Sequence, residues 1–230
     1  MLLTFCCGKL SLGDYMKKID ALLFDLDGTL IDSNAIIVAS YRHAYKVHLP
    51  NLTISDDEII QDIGPTLYEI FNRYTDNTSL VDKLITTYRN YYTENEKKYH
   101  SLYPKVTETL QQLKSMNIPM AIVTSKFKEA AWPSFTFYHL DQYFNTFVAL
   151  EDVINPKPHK EPILKALNHL GFPKNPLMIG DNKSDILAAK NAGILSAGVA
   201  WSIKGIDHLK EAHPDFIFNS MHDIIKLVKY

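Results

Sequence analysis

The chain has 230 residues, 46% of them hydrophobic and 22% charged, with a formal net charge of -2. That length and composition allow a full buried core in one or two domains and exclude wholesale disorder. A near-neutral balance with no long basic run argues against a nucleic-acid or membrane-surface protein, because phosphate backbones and anionic headgroups require a concentrated positive face.

In chain order, Met1-Leu2-Leu3 is too short an apolar run for a membrane span, with no basic segment before it and no cleavage pattern after it. Cys6 and Cys7 are the only cysteines. Neighbouring cysteines rarely reach disulfide geometry without strain, so a reducing, cytoplasmic setting is expected. Met16-Lys17-Lys18-Ile19 reads as a natural beginning, which makes residues 1–15 an expected dispensable or non-native extension. Ala21 to Asp25 is an apolar run ending in an acid, with Gly28 just beyond, the pattern of a buried strand followed by a turn. From Ser33 to Tyr103 buried-strand runs are missing. Ile36, Ile37, Ser40, Tyr41 and Ala44 predict one helix there, and Leu80, Leu84, Ile85 and Tyr88 another.

Pro104 marks the return to an alternating pattern. Val106, Leu110 and Leu113 predict a helix that Pro119 stops, and Met120 to Thr124 a strand. Ile163, Leu164, Leu167 and Leu170 predict a helix before Gly171, and Leu177 to Asp181 a strand. Ser184 is the expected N-cap of a helix through Asn191, with Gly193 as its C-cap. Ser196 to Ala200 and, more weakly, Phe216 to Phe218 complete the set of strands. Strands alternating with helices imply an α/β fold with a mostly parallel sheet covered on both faces. Chemistry in such sheets collects at the carboxyl ends of strands, here Asp25, Thr124 and Asp181.

Asp25-Leu26-Asp27-Gly28-Thr29-Leu30 carries the strongest local signal. A carboxylate at a strand end can attack phosphorus and form an acyl phosphate. A second acid two residues on could protonate the leaving oxygen and then activate water. The same residues could also be an ordinary acidic turn. Thr124 and Ser125, with adjacent backbone amides, could hold a phosphoryl oxygen. Lys157, between Pro156 and Pro158, could offset charge on nucleophile and phosphoryl group, although a solvated loop lysine is the commoner fate. Asp181 and Asp185 place two hard oxygen donors across a helix start, which suits Mg²⁺. A helix-dipole acid would explain Asp185 but not Asp181.

In order and strand-end placement these residues resemble the haloacid dehalogenase-like superfamily. Its four motifs match Asp25-x-Asp27, Thr124, Lys157 and Asp181-x-x-x-Asp185, and the resemblance runs from about Lys17 to the C-terminus. It implies a Rossmann-like core over 16–32 and 104–230, with an all-helical mobile cap over 33–103. It also implies Asp25 as nucleophile, Asp27 as general acid and base, and Thr124 and Lys157 as stabilisers of the phosphoryl group. The Mg²⁺ ligands would be Asp25, the backbone carbonyl of Asp27, Asp181, and Asp185 through water. Asp27 favours phosphorus over carbon–halogen chemistry, since the dehalogenases lack this second acid.

Finer likeness places Gly64 and Pro65, in 63–67, with the substrate loop of caps in small-substrate phosphatases; a plain inter-helix turn is the alternative. Segments 150–153, 156–158, 179–182, 185–188 and 198–205 are similar to an inorganic pyrophosphatase branch known from bacilli, whose vocabulary phosphoglycolate phosphatases largely share. Pyrophosphate requires cations, for which Arg42, Lys46, Lys126 and Lys204 are candidates and Lys126 the first choice. Tyr88, Tyr91, Tyr92, Tyr99 and Tyr103 read as packing, and no histidine shows a metal-ligand pattern. The expectation is a Mg²⁺-dependent phosphohydrolase acting on pyrophosphate or a small phosphomonoester, as a monomer or weak homodimer. A phosphomutase and a phospho-acceptor receiver are the alternatives. Receivers carry their acidic pair before the acceptor and have no cap.

Overall fold

The computed structural model describes residues 18–229; the expectation for 1–15 and the cysteine pair fall outside them. In chain order the elements are β1 (Ala21–Phe24), β2 (Ile31–Asp32), α1 (Asn34–His48), α2 (Asp56–Asp62), α3 (Leu67–Phe71), α4 (Thr78–Tyr99), β3 (Ser101–Leu102), α5 (Val106–Ser115) and β4 (Met120–Val123). They continue as α6 (Lys128–Phe137), β5 (Thr146–Val148), α7 (Glu161–His169), β6 (Pro176–Gly180), α8 (Lys183–Ala192), β7 (Leu195–Val199), α9 (Gly205–Lys210), β8 (Phe216–Phe218) and α10 (His222–Val228).

Six strands form one parallel sheet in the order β5-β4-β1-β6-β7-β8. The short apolar runs become strands because both of their faces are covered. Leu22, Phe24, Met120, Ile122, Leu177 and Ile179 point to the side of α5, α6 and α10. The alternate residues Leu23, Ala121, Val123 and Met178 pack with α7 and α8. The chain leaves β1 toward β4 and β5, then crosses back to β6 on the other side. This reversal of strand order opens a crevice at the carboxyl ends of β4, β1 and β6.

α1 to α4 have a core of their own, in which Tyr41, Tyr45, Phe71, Tyr88 and Tyr92 pack with Ile36, Val81 and Leu84. The ring centroids of Tyr41 and Tyr88 lie 4.7 Å apart and those of Tyr41 and Phe71 5.4 Å. The two chain crossings between these helices and the sheet run side by side, because β2 and β3 pair antiparallel, Ile31 opposite Leu102.

Three details differ from the sequence reading. The N-cap of α8 is Asn182, not Ser184: the Asn182 side chain accepts from the Ser184 N–H, and Asp185 reaches back to the Asn182 N–H. Leu164 lies at the edge of the buried stripe of α7, 38% exposed, while Ile163 and Leu167 are buried. The three-residue strand β5 and the helices α2, α3, α6, α9 and α10 escape the periodicity because each is short or, in α6, contains Pro133. Two of them carry a readable start, the reciprocal caps Ser55 with Glu58 and Thr66 with Glu69.

Gly193 ends α8 as expected, at a φ of 74° with no heavy atom in the way of an added Cβ. The cost of a side chain there is therefore conformational alone. Gly193→Ala is expected to lower stability by about 1 kcal/mol, read as a lower denaturant midpoint at unchanged slope.

Candidate active site

The crevice gathers residues from three strand ends. The Asp25 N–H donates to Ile179 O at 2.9 Å, so the first acid continues the ladder past β1. The chain then turns at Gly28, φ 81°, where an added Cβ would lie 2.3 Å from Asp181 Oδ2; only glycine lets the turn approach that carboxylate. Thr124 follows β4, with its N–H on Val148 O at 3.0 Å and its Oγ1 accepting from the Lys126 N–H at 3.2 Å. Asp181 follows β6, and its carbonyl accepts from Ser202 Oγ at 2.7 Å. Asp185, on the first turn of α8, folds back over Gly180, where a Cβ would meet its carboxyl carbon at 2.3 Å.

Lys157 enters from the loop before α7. Its three protons are all used: Nζ lies 2.7 Å from Asp25 Oδ1, 2.6 Å from Asp185 Oδ1 and 2.8 Å from Val123 O. Asp25, Asp181 and Asp185 are buried, and each offers an oxygen within 4.8 Å of the others. Three carboxylates against one ammonium leave an excess of buried negative charge. Burial first, and then Asp185, push the Asp25 carboxyl up to about 7 against the pull of Lys157. Asp181 stands well above the usual carboxylate range through burial, Asp25 and Asp185. Burial alone would lower Lys157, but Asp185 and Asp25 outweigh it and raise the ammonium. A hard oxygen set with surplus negative charge fits a divalent cation of the Mg²⁺ type.

Asp27 faces different partners. Its carboxylate accepts from Ser33 Oγ at 2.5 Å and lies 3.4 Å from Lys126 Nζ, outside the acidic cluster. Burial works against its charge, but Lys126, the Ser33 hydrogen bond and His100 together hold it below its ordinary value. Lys126 Nζ also donates to the Tyr92 hydroxyl at 2.7 Å, and that hydroxyl lies 2.6 Å from His100 Nε2.

The other predicted residues divide. Ser125 is half-buried beside Thr124. Gly64, φ 129°, sits where a Cβ would strike the Asn182 side chain at 2.6 Å, and Asn182 Nδ2 donates to Ile63 O at 3.0 Å; Pro65 follows in the same loop. That loop therefore rests on the residue after Asp181. Lys204 Nζ donates to Gln61 O at 2.7 Å. Arg42 pairs with Asp56 on the surface and Lys46 is exposed in the last turn of α1, so neither joins the cluster. Ser33, Tyr92 and His100 were not anticipated here. Tyr92 sits on the apolar stripe of α4, and Ser33 and His100 carry no spacing signal.

The chain belongs to the haloacid dehalogenase-like hydrolase family, whose profile matches residues 22–199. Among curated relatives, the pyrophosphatase PpaX of Oceanobacillus iheyensis is 37% identical over 212 residues, covering 92% of this chain and 97% of the relative. The pyrophosphatase PpaX of Bacillus velezensis is 39% identical over the same span. Among solved structures, a predicted phosphoglycolate phosphatase from Haemophilus somnus superposes with a TM-score of 0.81 at 28% identity, covering 92% of this chain and 99% of that one. No helix among the described residues is long and apolar enough to cross a membrane.

The raised Asp25 carboxyl has a measurable consequence. Folded protein keeps a proton that the unfolded chain releases between pH 3.8 and about 7, so metal-free stability falls as pH rises through that window. In EDTA, Asp25→Asn is expected to melt above the wild type at pH 8, with the gain shrinking at pH 5. Equal differences at the two pH values would contradict the shift.

Proposed function

We propose that this protein hydrolyses inorganic pyrophosphate through a phosphoryl group carried on Asp25. The observation that carries the reading is the buried carboxylate trio with Lys157 bonded to Asp25 at 2.7 Å, at the carboxyl edge of the sheet. An Asp25 oxygen attacks one phosphorus, and the bond to the bridging oxygen breaks as Asp27 delivers a proton to the departing phosphate. Asp27 then takes a proton from water, which attacks the acyl phosphate, releases the second phosphate and restores Asp25.

Thr124 and the half-buried Ser125 would hold the transferring oxygens, and Lys157 would keep Asp25 oriented and offset its charge. Mg²⁺ would be held by Asp25, Asp181, the backbone carbonyl of Asp27 and Asp185. When bound, the ion offsets charge on the phosphoryl oxygens. Lys126 would take the departing phosphate, since it lies 3.4 Å from the acid that protonates it. The helices within 33–103 would act as a cap over a core of 16–32 and 104–230, with Gly64 and Pro65 shaping the loop on Asn182. A reducing cytoplasm fits the cysteine usage.

Two observations support pyrophosphate. The relatives at 37–39% identity bear that activity in their names. Asp27, held below its ordinary pKa, is mostly ionised and seldom carries a proton to give, and a departing phosphate needs less protonation than an alkoxide. Phosphoglycolate is the second reading, favoured by the Haemophilus neighbour's description.

Phosphate release from pyrophosphate, phosphoglycolate, sugar phosphates and an aryl phosphate, with Mg²⁺ or EDTA, tests this. Pyrophosphate is expected to lead, EDTA to abolish turnover, and Asp25→Asn to lower kcat by about 10³-fold or more, a loss of the order expected when a nucleophile is removed. Preference for a phosphomonoester would overturn the substrate, and activity surviving in Asp25→Asn would overturn the mechanism.

A further inference from the structure

Two charged groups beside the leaving side of the site have a shared support that the reaction itself does not use. Tyr92, on α4, is almost fully buried, and its hydroxyl lies 2.7 Å from Lys126 Nζ, 2.6 Å from His100 Nε2 and 3.5 Å from Asp27 Oδ1. The Lys126 ammonium also stands 4.0 Å from the centroid of the Tyr92 ring. An ammonium can only donate, so Tyr92 Oη accepts from Lys126, and its own proton is free for Asp27 Oδ1 or, in one imidazole tautomer, for His100 Nε2. Burial holds the imidazole below its ordinary pKa, and Lys126 adds to that effect against the pull of Asp27.

With one of its protons on Tyr92 and another toward Asp27, Lys126 has one left to offer a ligand. A lysine on a four-carbon stem would otherwise sample many rotamers, and holding it from two sides removes that freedom before substrate arrives. The support comes from the far end of α4, so the aim of a cation on the β4 loop is set by the helical part of the chain.

We propose that Tyr92, backed by His100, is a positioning residue that aims Lys126 at the leaving group, and thereby makes the enzyme prefer substrates whose leaving side already carries a negative charge before the bond breaks. This rests on the reading of Lys126 as the partner of the departing phosphate. Pyrophosphate and phosphoglycolate carry charge on the leaving side in the ground state; an aryl phosphate gains it only as the bond breaks. Losing the aim of Lys126 therefore costs the first pair more than the last.

The test is kcat/KM on pyrophosphate, phosphoglycolate and p-nitrophenyl phosphate for wild type, Tyr92→Phe, Lys126→Met and the double variant. For the better of the two charged substrates, Tyr92→Phe is expected to lose about tenfold more than it loses on the aryl phosphate, the scale of one directed charge contact. In the Lys126→Met background the same change should cost less than about twofold, because the two residues act as one unit. A purely structural role for Tyr92 would instead lower all substrates alike and add to Lys126→Met. Should Lys126→Met itself lose equally on every substrate, the reading of Lys126 fails, and the proposal with it. Should Lys126→Met be selective while Tyr92→Phe is not, or the losses add, the role of Tyr92 alone is overturned. His100→Ala, at the end of α4, guards against disturbance of the helix. It should show the same selectivity at smaller size, and equal losses across substrates would count against the proposal.

Discussion

The buried ammonium of Lys157 is the interaction on which the site depends. It bridges Asp25 at the end of β1 and Asp185 on α8, and is tied to the end of β4 through Val123 O. Without it, carboxylates from two segments would face each other in a poorly solvated crevice, and removal of one partner from such a buried arrangement typically costs about 3–5 kcal/mol. Even with it, Asp25 and Asp181 are drawn toward protonation, first by burial and then because one positive charge cannot balance three negative ones. The surplus is what suits the cluster to a divalent cation and an anionic substrate brought together.

The same segment sets two acids in opposite environments. Asp25 is raised by burial among carboxylates, while Asp27, two residues on, is held down by Lys126, Ser33 and His100 in spite of its burial. Divergent surroundings are how neighbouring carboxyls take different tasks. In the proposed reaction one becomes covalently bonded to phosphorus and the other handles protons. Glycine makes both arrangements possible, since side chains at Gly28 and Gly180 would occupy the space of Asp181 and Asp185. The partners of Asp27 also straddle the two crossings into the helices, Ser33 just before α1 and His100 just after α4. The proton-handling acid thus sits where closure of the proposed cap would be felt.

Much of this is legible in the sequence. A strand buried on both faces must be continuously apolar, so β1, β4, β6, β7 and β8 announce themselves, and their last residues mark the crevice. The spacing of Asp181 and Asp185 falls on the start of a helix, which the structure provides, although Asn182 takes the capping role assigned to Ser184. The metal-type cluster gathers the three carboxylates named as ligands from sequence, while Asp27, expected there through its backbone carbonyl, turns its carboxylate to Ser33 and Lys126. Long-range partners such as Tyr92 and His100 were not legible. A tyrosine on an apolar helix stripe looks like packing, and Tyr92 does pack, while its hydroxyl and ring also meet Lys126. Arg42 is the converse case: it pairs on the surface with Asp56 on α2, a partner invisible to any local pattern.

The central claim is that phosphorus passes through Asp25. The direct measurement is mass spectrometry of acid-quenched Asp27→Asn protein after brief reaction with an activated aryl phosphate and Mg²⁺. The good leaving group spares the first step its acid, while loss of the base at position 27 slows the second. The account predicts one phosphoryl group, labile to base, on the peptide containing Asp25. Release of aryl alcohol with no phosphoryl group on that peptide, or with the group on another residue, would contradict it.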